Sequence, residues 1–292
     1  MNLKQALIFC LILISFGVVA CGTERTEEPI LYIGGIPDQN TAVLVRRFDE
    51  IANYLSKTMD ISVEYKPSLD YSAVVTGFRN GDIHLAWFGG LTGIQARGSV
   101  PGSLALAQRP QDETFHSVFI VGNDVDANSL TDLKDLSFTF GSESSTSGHL
   151  MPRFFLIEVG VDPKEHFRFP PGFSGSHDRT WKLVEVGAFQ SGALNLSVWN
   201  KAVTNGDVDQ TKVRVLETTP AYYDYNWSAR GDLDDKFGNG FILRLQKALL
   251  DLHDESQYKD ILDAFQTEKF ISTENGNYSK IEQIAKELGL LE

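Results

Sequence analysis

Short apolar runs alternate with helix-patterned stretches along most of this chain, and several of the runs end in glycine. That alternation restricts the fold more than any other feature. A run too short for a helix must pair as a strand, and the stretch after it must cover the sheet. Residues 30–37 read as a buried strand ending at a Gly/Pro break. Leu44, Phe48, Ile51 and Leu55 then share one face of a helix over 41–57. A strand over 61–66, a short helix over 71–78 ended by Asn80-Gly81, a strand over 83–88 entering Gly89-Gly90, and a helix over 91–97 follow.

Further on, strands are expected over 117–121, 136–140 and 213–217, and helices over 129–133, 151–159 and 177–187. A longer helix is expected over 234–252 despite Gly238 and Gly240, and 278–290 is amphipathic. This spacing predicts an α/β fold with a largely parallel sheet. The 292 residues suit two lobes at roughly 150 residues each. Crossovers near 115–122 and 215–225 divide the chain into lobe 1 (30–118 and 219–292) and lobe 2 (119–218). Ligands of open α/β sheets bind beyond the carboxyl ends of strands. The glycine-rich ends at Gly34-Gly35, Gly89-Gly90 and Gly141 mark where a cleft would open.

The first twenty residues stand apart from this pattern. Lys4 precedes an apolar run over 6–20, too short to span a bilayer comfortably and suited to a signal peptide. It ends in Val18-Val19-Ala20-Cys21, which looks like a bacterial lipobox. Cys21 is thus the expected lipidation site, 1–20 the discarded signal and 21–29 a tether, placing the protein outside the cell membrane on a lipid anchor. The other cysteine, Cys10, lies in the discarded segment, so no intramolecular disulfide is expected.

A net charge of −13 argues against nucleic acid or an anionic membrane surface as the main partner. Any anion site must therefore be local. The segment from Phe140 to Pro152 offers one: Ser142, Ser144, Ser145, Thr146 and Ser147 lie between a strand and a helix, where the first backbone N–H groups lack partners. The same residues could serve only as a helix cap. Catalysis has less support. Gly172-Phe173-Ser174-Gly175-Ser176-His177-Asp178 carries serine, histidine and aspartate, but a nucleophile elbow needs glycine where Ser176 stands. No phosphate loop occurs, and the six histidines show no zinc spacing. A binding protein without cofactor or metal is the leading class.

Four motifs and their order make the class specific. They are Asp70-Tyr71-Ser72-Ala73-Val74-Val75, Asp82-Ile83-His84-Leu85-Ala86-Trp87-Phe88-Gly89, Ser145-Thr146-Ser147-Gly148 and Gly175-Ser176-His177-Asp178. A looser fifth spans Thr219 to Trp227. Over 30–232 the chain resembles the periplasmic phosphate/phosphite/phosphonate-binding proteins that deliver substrate to ABC transporters, with the two-lobed type 2 periplasmic-binding-protein fold. The resemblance implies a cleft that captures a tetrahedral oxyanion between lobes. It puts the family's ligand tyrosine on Tyr71, its hydroxyl cluster on Ser145, Thr146 and Ser147, its histidine on His177 and its oxyanion-facing aspartate on Asp224. His177 would be a donor, charged if the site raises its pKa. A transporter permease and its ATPase are the implied partners of a monomeric binding protein.

Two departures bear on the ligand. Phe115 stands where many relatives carry a second tyrosine. No Asp or Glu occurs between Val186 and Gly206, where aminoalkylphosphonate binders hold a glutamate for the ammonium group, so 2-aminoethylphosphonate is disfavoured. The runs around Pro37, Trp87 and His177 also look like a branch labelled putative selenate transporter components. Against selenate, an ionised Asp224 suits an oxyanion that still bears a proton. A selenate or sulfate binder, or a sensory lipoprotein of the same fold, are the alternatives.

Overall fold

The computed structural model describes residues 29–253 and 256–291. The signal segment, Cys21 and most of the tether lie outside the described residues. The strands are β1 (Leu31–Gly35), β2 (Val63–Tyr65), β3 (Leu85–Phe88), β4 (Leu104–Gln108), β5 (Ser117–Gly122), β6 (Phe138–Phe140), β7 (Gly172–Phe173), β8 (Ser191–Asn195), β9 (Val213–Thr218), β10 (Asn226–Ala229) and β11 (Ile271–Ser272). The helices are α1 (Thr41–Met59), α2 (Tyr71–Asn80), α3 (Gly90–Ser99), α4 (Met151–Glu158), α5 (His177–Glu185), α6 (Leu196–Asn205), α7 (Leu233–Phe237), α8 (Phe241–Leu250), α9 (Lys259–Phe265) and α10 (Ser279–Glu287).

Two sheets result, ordered β11-β4-β10-β3-β1-β2 and β7-β6-β8-β5-β9. The sheets are mixed rather than largely parallel. The chain returns to the first sheet along β10, antiparallel to both β3 and β4, and β5 runs antiparallel to β8 and β9. Strand direction depends on where the connections run, and apolar alternation does not record it. The expected helix over 234–252 is also broken. Gly238 and Gly240 take positive φ (93° and 74°), and the Asp234 carboxylate accepts from the N–H groups of Gly240 and Ile242 at 2.9 Å each, so that α8 starts anew.

Each sheet is buried by period-two packing. In β5, Phe119 and Val121 join Phe138, Phe140 and Leu156 on one face, while Val118 and Ile120 join Trp181, Leu194 and Trp199 on the other. Between the sheets the chain crosses at 109–116 and returns at 219–225. Phe115 and Tyr222 pair there as an isolated antiparallel bridge, with N–H to carbonyl distances of 2.8 and 3.0 Å. The expected lobe divisions at 118/119 and 218/219 fall inside β5 and at the end of β9. Beside the crossing, Arg109 grips Asp112 through Nη2–Oδ1 (2.6 Å) and Nε–Oδ2 (2.8 Å).

Candidate functional site

Four helices begin where the two sheets face each other. α2 begins at Tyr71 because Asp70 accepts from the Ala73 N–H at 2.8 Å. α5 begins at His177, and α3 begins at Gly90 after Gly89, which has no side chain with which to cap it. Residues Thr146–Leu150 form a π-helical turn leading into α4, in which the Leu150 N–H reaches back to the Ser145 carbonyl at 3.0 Å. Such turns are frequent at functional sites.

Tyr71, Ser145, Thr146, Ser147, His177 and Asp224 all lie here, each no more than 2% exposed. Ser145 Oγ accepts from the Gly148 N–H at 2.9 Å, and Thr146 Oγ1 accepts from the Leu91 N–H at 3.0 Å. A hydroxyl that accepts an N–H still has its own hydrogen to donate, so capping and anion donation share one geometry here. Asp224 Oδ1 accepts from the Gly90 N–H at 2.9 Å, while Oδ2 is buried without a hydrogen bond. The Tyr71 hydroxyl is likewise buried without one.

Close approach is enforced by glycine. A Cβ on Gly89 would lie 3.0 Å from Thr146 Oγ1 and 3.1 Å from Asp224 Oδ1. A Cβ on Gly148 would lie 3.1 Å from the Gly141 Cα and 3.2 Å from His177 Cε1. The turn, the α3 start, Asp224 and His177 are therefore packed closely together.

The electrostatics follow from burial. Burial pushes the Asp224 carboxyl up to about 7, and Asp112 adds to the rise, against the pull of the Gly90 N–H and the Thr146 and Ser147 hydroxyls. Burial, with Asp38 and Asp224 nearby, holds the Tyr71 phenol well above its ordinary value despite the nearness of Ser145, so it remains a donor. The site does not raise the pKa of His177, so the condition for a charged donor is not met. Burial pushes it down to about 4, against the opposing charges of Asp38 and Asp178. The Asn195 N–H points at Nδ1 across 3.4 Å, which fits a neutral ring with its proton on Nε2. His177 can thus still donate one hydrogen bond, uncharged.

A family model described as "ABC transporter, phosphonate, periplasmic substrate-binding protein" matches residues 33–278. The chain belongs to this family. The match extends beyond the stretch over which the resemblance is expected, to β11 and the turn that precedes α10. A probable ABC transporter phosphite binding protein, PhnD1 of Prochlorococcus marinus (strain MIT 9301), is 43% identical over 294 residues, covering 98% of each chain. The structure of PhnD1 in complex with methylphosphonate superposes with a TM-score of 0.87 at 46% identity, covering 90% of this chain and 99% of that one. A phosphate-import protein, PhnD of Mycolicibacterium smegmatis, is 26% identical over 63% of this chain and 61% of its own. A binding protein component of an ABC phosphonate transporter from Pseudomonas aeruginosa, 21% identical with a TM-score of 0.77, bears on the fold alone. The protein is accordingly a two-lobed substrate-binding component of an ABC transporter.

Three further residues beside the candidate site carry no clear signal in the sequence. Asn195, Tyr225 and Asp38 are buried beside His177 (3%, 2% and 3% exposed), and the Tyr225 hydroxyl joins them by donating to Asp38 Oδ2 at 2.9 Å and receiving Asn195 Nδ2 at 3.2 Å. Tyr225 sits in the looser Thr219-to-Trp227 motif and Asp38 in the Gly/Pro-broken loop, but neither signal gives a role. Asn195 caps α6 through bonds from the Ser197 and Val198 N–H groups (2.7 and 3.1 Å) and carries no sequence signal beyond that. Phe115 packs edge-on against Tyr222 and Tyr225, with ring centroids 6.1 and 5.5 Å apart.

Proposed function

We propose that the protein captures a tetrahedral phosphorus oxyanion, namely phosphite, phosphate or a small phosphonate, for import. One observation carries the reading. The Tyr71 hydroxyl and Asp224 Oδ2 are both buried without hydrogen bonds among the hydroxyls and helix starts described above. An unsatisfied buried polar group costs roughly 1–3 kcal/mol, and one ligand with acceptor oxygens and a shared proton would satisfy both. Ser145, Thr146 and Ser147, the N–H groups of their turn, Tyr71 and His177 Nε2 donate to the ligand in this reading. Asp224 Oδ2 then shares a proton with the oxygen opposite. The similarity to PhnD1, named for phosphite and solved with methylphosphonate, supports the same ligand class.

Asn195 supports the exclusion of aminoalkylphosphonates. It occupies the end of β8, inside the acid-free stretch, with its carbonyl oxygen already accepting from two N–H groups. That side chain has no free carboxylate to offer an ammonium group. The case against selenate weakens, because a carboxyl with a pKa of about 7 can carry the shared proton itself.

In this reading the two sheets belong to lobes that close over the ligand about the 109–116 and 219–225 crossings, and the closed, monomeric form meets a permease and ATPase. Cys21 holds the lipid that keeps it at the membrane. Calorimetric titration with phosphite, phosphate, methylphosphonate, 2-aminoethylphosphonate, sulfate and selenate tests the ligand. Phosphorus oxyanions are expected to bind tightest and the aminoalkyl compound weakly, and absence of binding to all six would overturn the reading.

A further inference from the structure

Asp38 lies three residues beyond β1 and has no role in the ligand contacts above. Its main-chain carbonyl accepts from the His177 N–H at 3.0 Å, so a residue flanking the first sheet caps the helix that carries the site histidine. Its carboxylate Oδ2 accepts from the Tyr225 hydroxyl at 2.9 Å. Oδ1 makes no hydrogen bond and faces Arg47 Nη1 at 3.6 Å, with the two side chains 4% and 5% exposed. Arg47 is held in turn by Nε donating to the Ala264 carbonyl at 3.0 Å.

The direction of these bonds is fixed by chemistry. A tyrosine hydroxyl has one hydrogen, and an ionised carboxylate can only accept, so that hydrogen goes to Asp38. The Tyr225 oxygen is then left as an acceptor toward His177 Nε2 at 3.5 Å and Asn195 Nδ2 at 3.2 Å. The histidine contact is at the outer limit of a hydrogen bond, enough to aim the ring without holding the proton against a ligand. Donors from the second-sheet side thus run through Tyr225, on the return crossing, to Asp38 and Arg47 on the first-sheet side.

Burying a carboxylate beside an anion site is unfavourable both by desolvation and by repulsion of the ligand. Arg47 offsets the charge, and the orientation of Tyr225 and His177 is what the arrangement gains. We propose that Asp38 is a positioning residue, which orients the Tyr225 hydroxyl and the α5 start so that His177 presents Nε2–H to the ligand when the two sheets close together. This rests on the oxyanion-binding reading of the site. A role confined to stabilising the first sheet would instead lower the melting temperature of the ligand-free protein and leave ligand dissociation unchanged.

The test uses the purified full chain with methylphosphonate as probe, comparing the parent with Asp38→Asn, Tyr225→Phe and the double variant by calorimetry and stopped-flow. Each single change is expected to raise the Kd about tenfold or more, chiefly through faster dissociation. The double variant should be little weaker than the weaker single, because the two residues act in series. Ligand-free melting temperatures should fall by a few degrees, because each change leaves a buried group unpaired, so faster ligand dissociation is the deciding readout. Both singles binding within about twofold of the parent would overturn the inference, as would additive losses in the double variant. Should Asp38→Asn fail to fold, Tyr225→Phe, which removes one oxygen, decides alone by the same criterion. A parent that does not bind methylphosphonate overturns the ligand reading together with this inference, whereas a binding parent with indifferent variants overturns this inference only.

Discussion

The N–H of Gly90 donates to Asp224 Oδ1 across 2.9 Å, and the other oxygen of that carboxylate is buried without a hydrogen bond. One oxygen is therefore fixed by the protein, and the other is the one that the proposed function gives to the ligand. With burial holding this carboxyl at about 7, it is a donor below that pH and an acceptor above it. Fully ionised sulfate and selenate need the donor, so their affinity should fall as pH rises through about 7, by up to about tenfold per unit. Asp224→Asn supplies a permanent donor and should abolish that dependence, narrowing the gap between selenate and phosphite. Titrations on either side of neutrality check both. A flat selenate profile in the parent would contradict the assignment.

Thr146 Oγ1 receives the Leu91 N–H at 3.0 Å, joining the hydroxyl turn to the start of α3 on the other sheet. Thr146→Val keeps the shape, removes the hydroxyl and leaves a buried N–H unsatisfied, a loss of roughly 1–3 kcal/mol. Methylphosphonate affinity should fall by about tenfold to a hundredfold. Thr146→Ser should recover most of it, because the hydroxyl rather than the methyl group bridges. Equal affinities for the valine and serine variants would show that this oxygen plays no part.

The contrast between what the chain discloses and what it conceals runs along a physical line. Ser145, Thr146 and Ser147 are contiguous and sit at a strand-to-helix junction, so their chemistry is local and legible. Tyr71 and His177 are similarly marked, each opening a helix behind a polar cap-like residue. Asp38, Asn195 and Tyr225 lie far apart in the chain and act only through one another, and no window on the sequence contains them together. β8, with the sequence Ser191-Gly192-Ala193-Leu194-Asn195, lacks the β-branched and aromatic residues that announce a strand, yet it is fully buried at the centre of its sheet. The charge of His177 was also beyond reach, since burial rather than any neighbour in sequence pushes its pKa down.

Gly148 tests how tightly the turn must pack. An alanine Cβ there would stand 3.0 Å from Ser145 Oγ, 3.1 Å from the Gly141 Cα and 3.2 Å from His177 Cε1. Two of those neighbours are proposed ligand contacts and the third is backbone, so relief requires moving the turn or the ring. Gly148→Ala should cost about 1–3 kcal/mol of stability, as overpacking does. It should weaken methylphosphonate binding by more than Gly160→Ala, at a glycine with positive φ and open space around it. Denaturant midpoints and calorimetry on the two variants separate backbone strain from crowding of the site.

Three buried histidines set the acid limit of the fold. Burial lowers His84, His149 and His177 from 6.5 to about 4 each, assisted at His84 by Lys236 and Arg230 and at His149 by Arg153. A histidine whose folded pKa is depressed contributes stability that is present above its unfolded value and lost as pH falls through the folded one. Asp224 acts in the opposite sense. Its folded value of about 7 lies above the ordinary 3.8, so its contribution is present in acid and is lost as pH rises between those values. From pH 6.5 down to about 4 the unfolded chain takes up protons on three imidazoles while the folded chain already holds one on Asp224. Burial also raises Asp112 and Glu50, which act in the same sense as Asp224 but with smaller shifts than the imidazoles, and the ligand-free protein should lose stability as pH falls across that window. His149→Asn removes one of the titrating groups and should flatten the decline measured by denaturant midpoints. A midpoint that rises as pH falls over this range would mean that the imidazoles are not held neutral by burial.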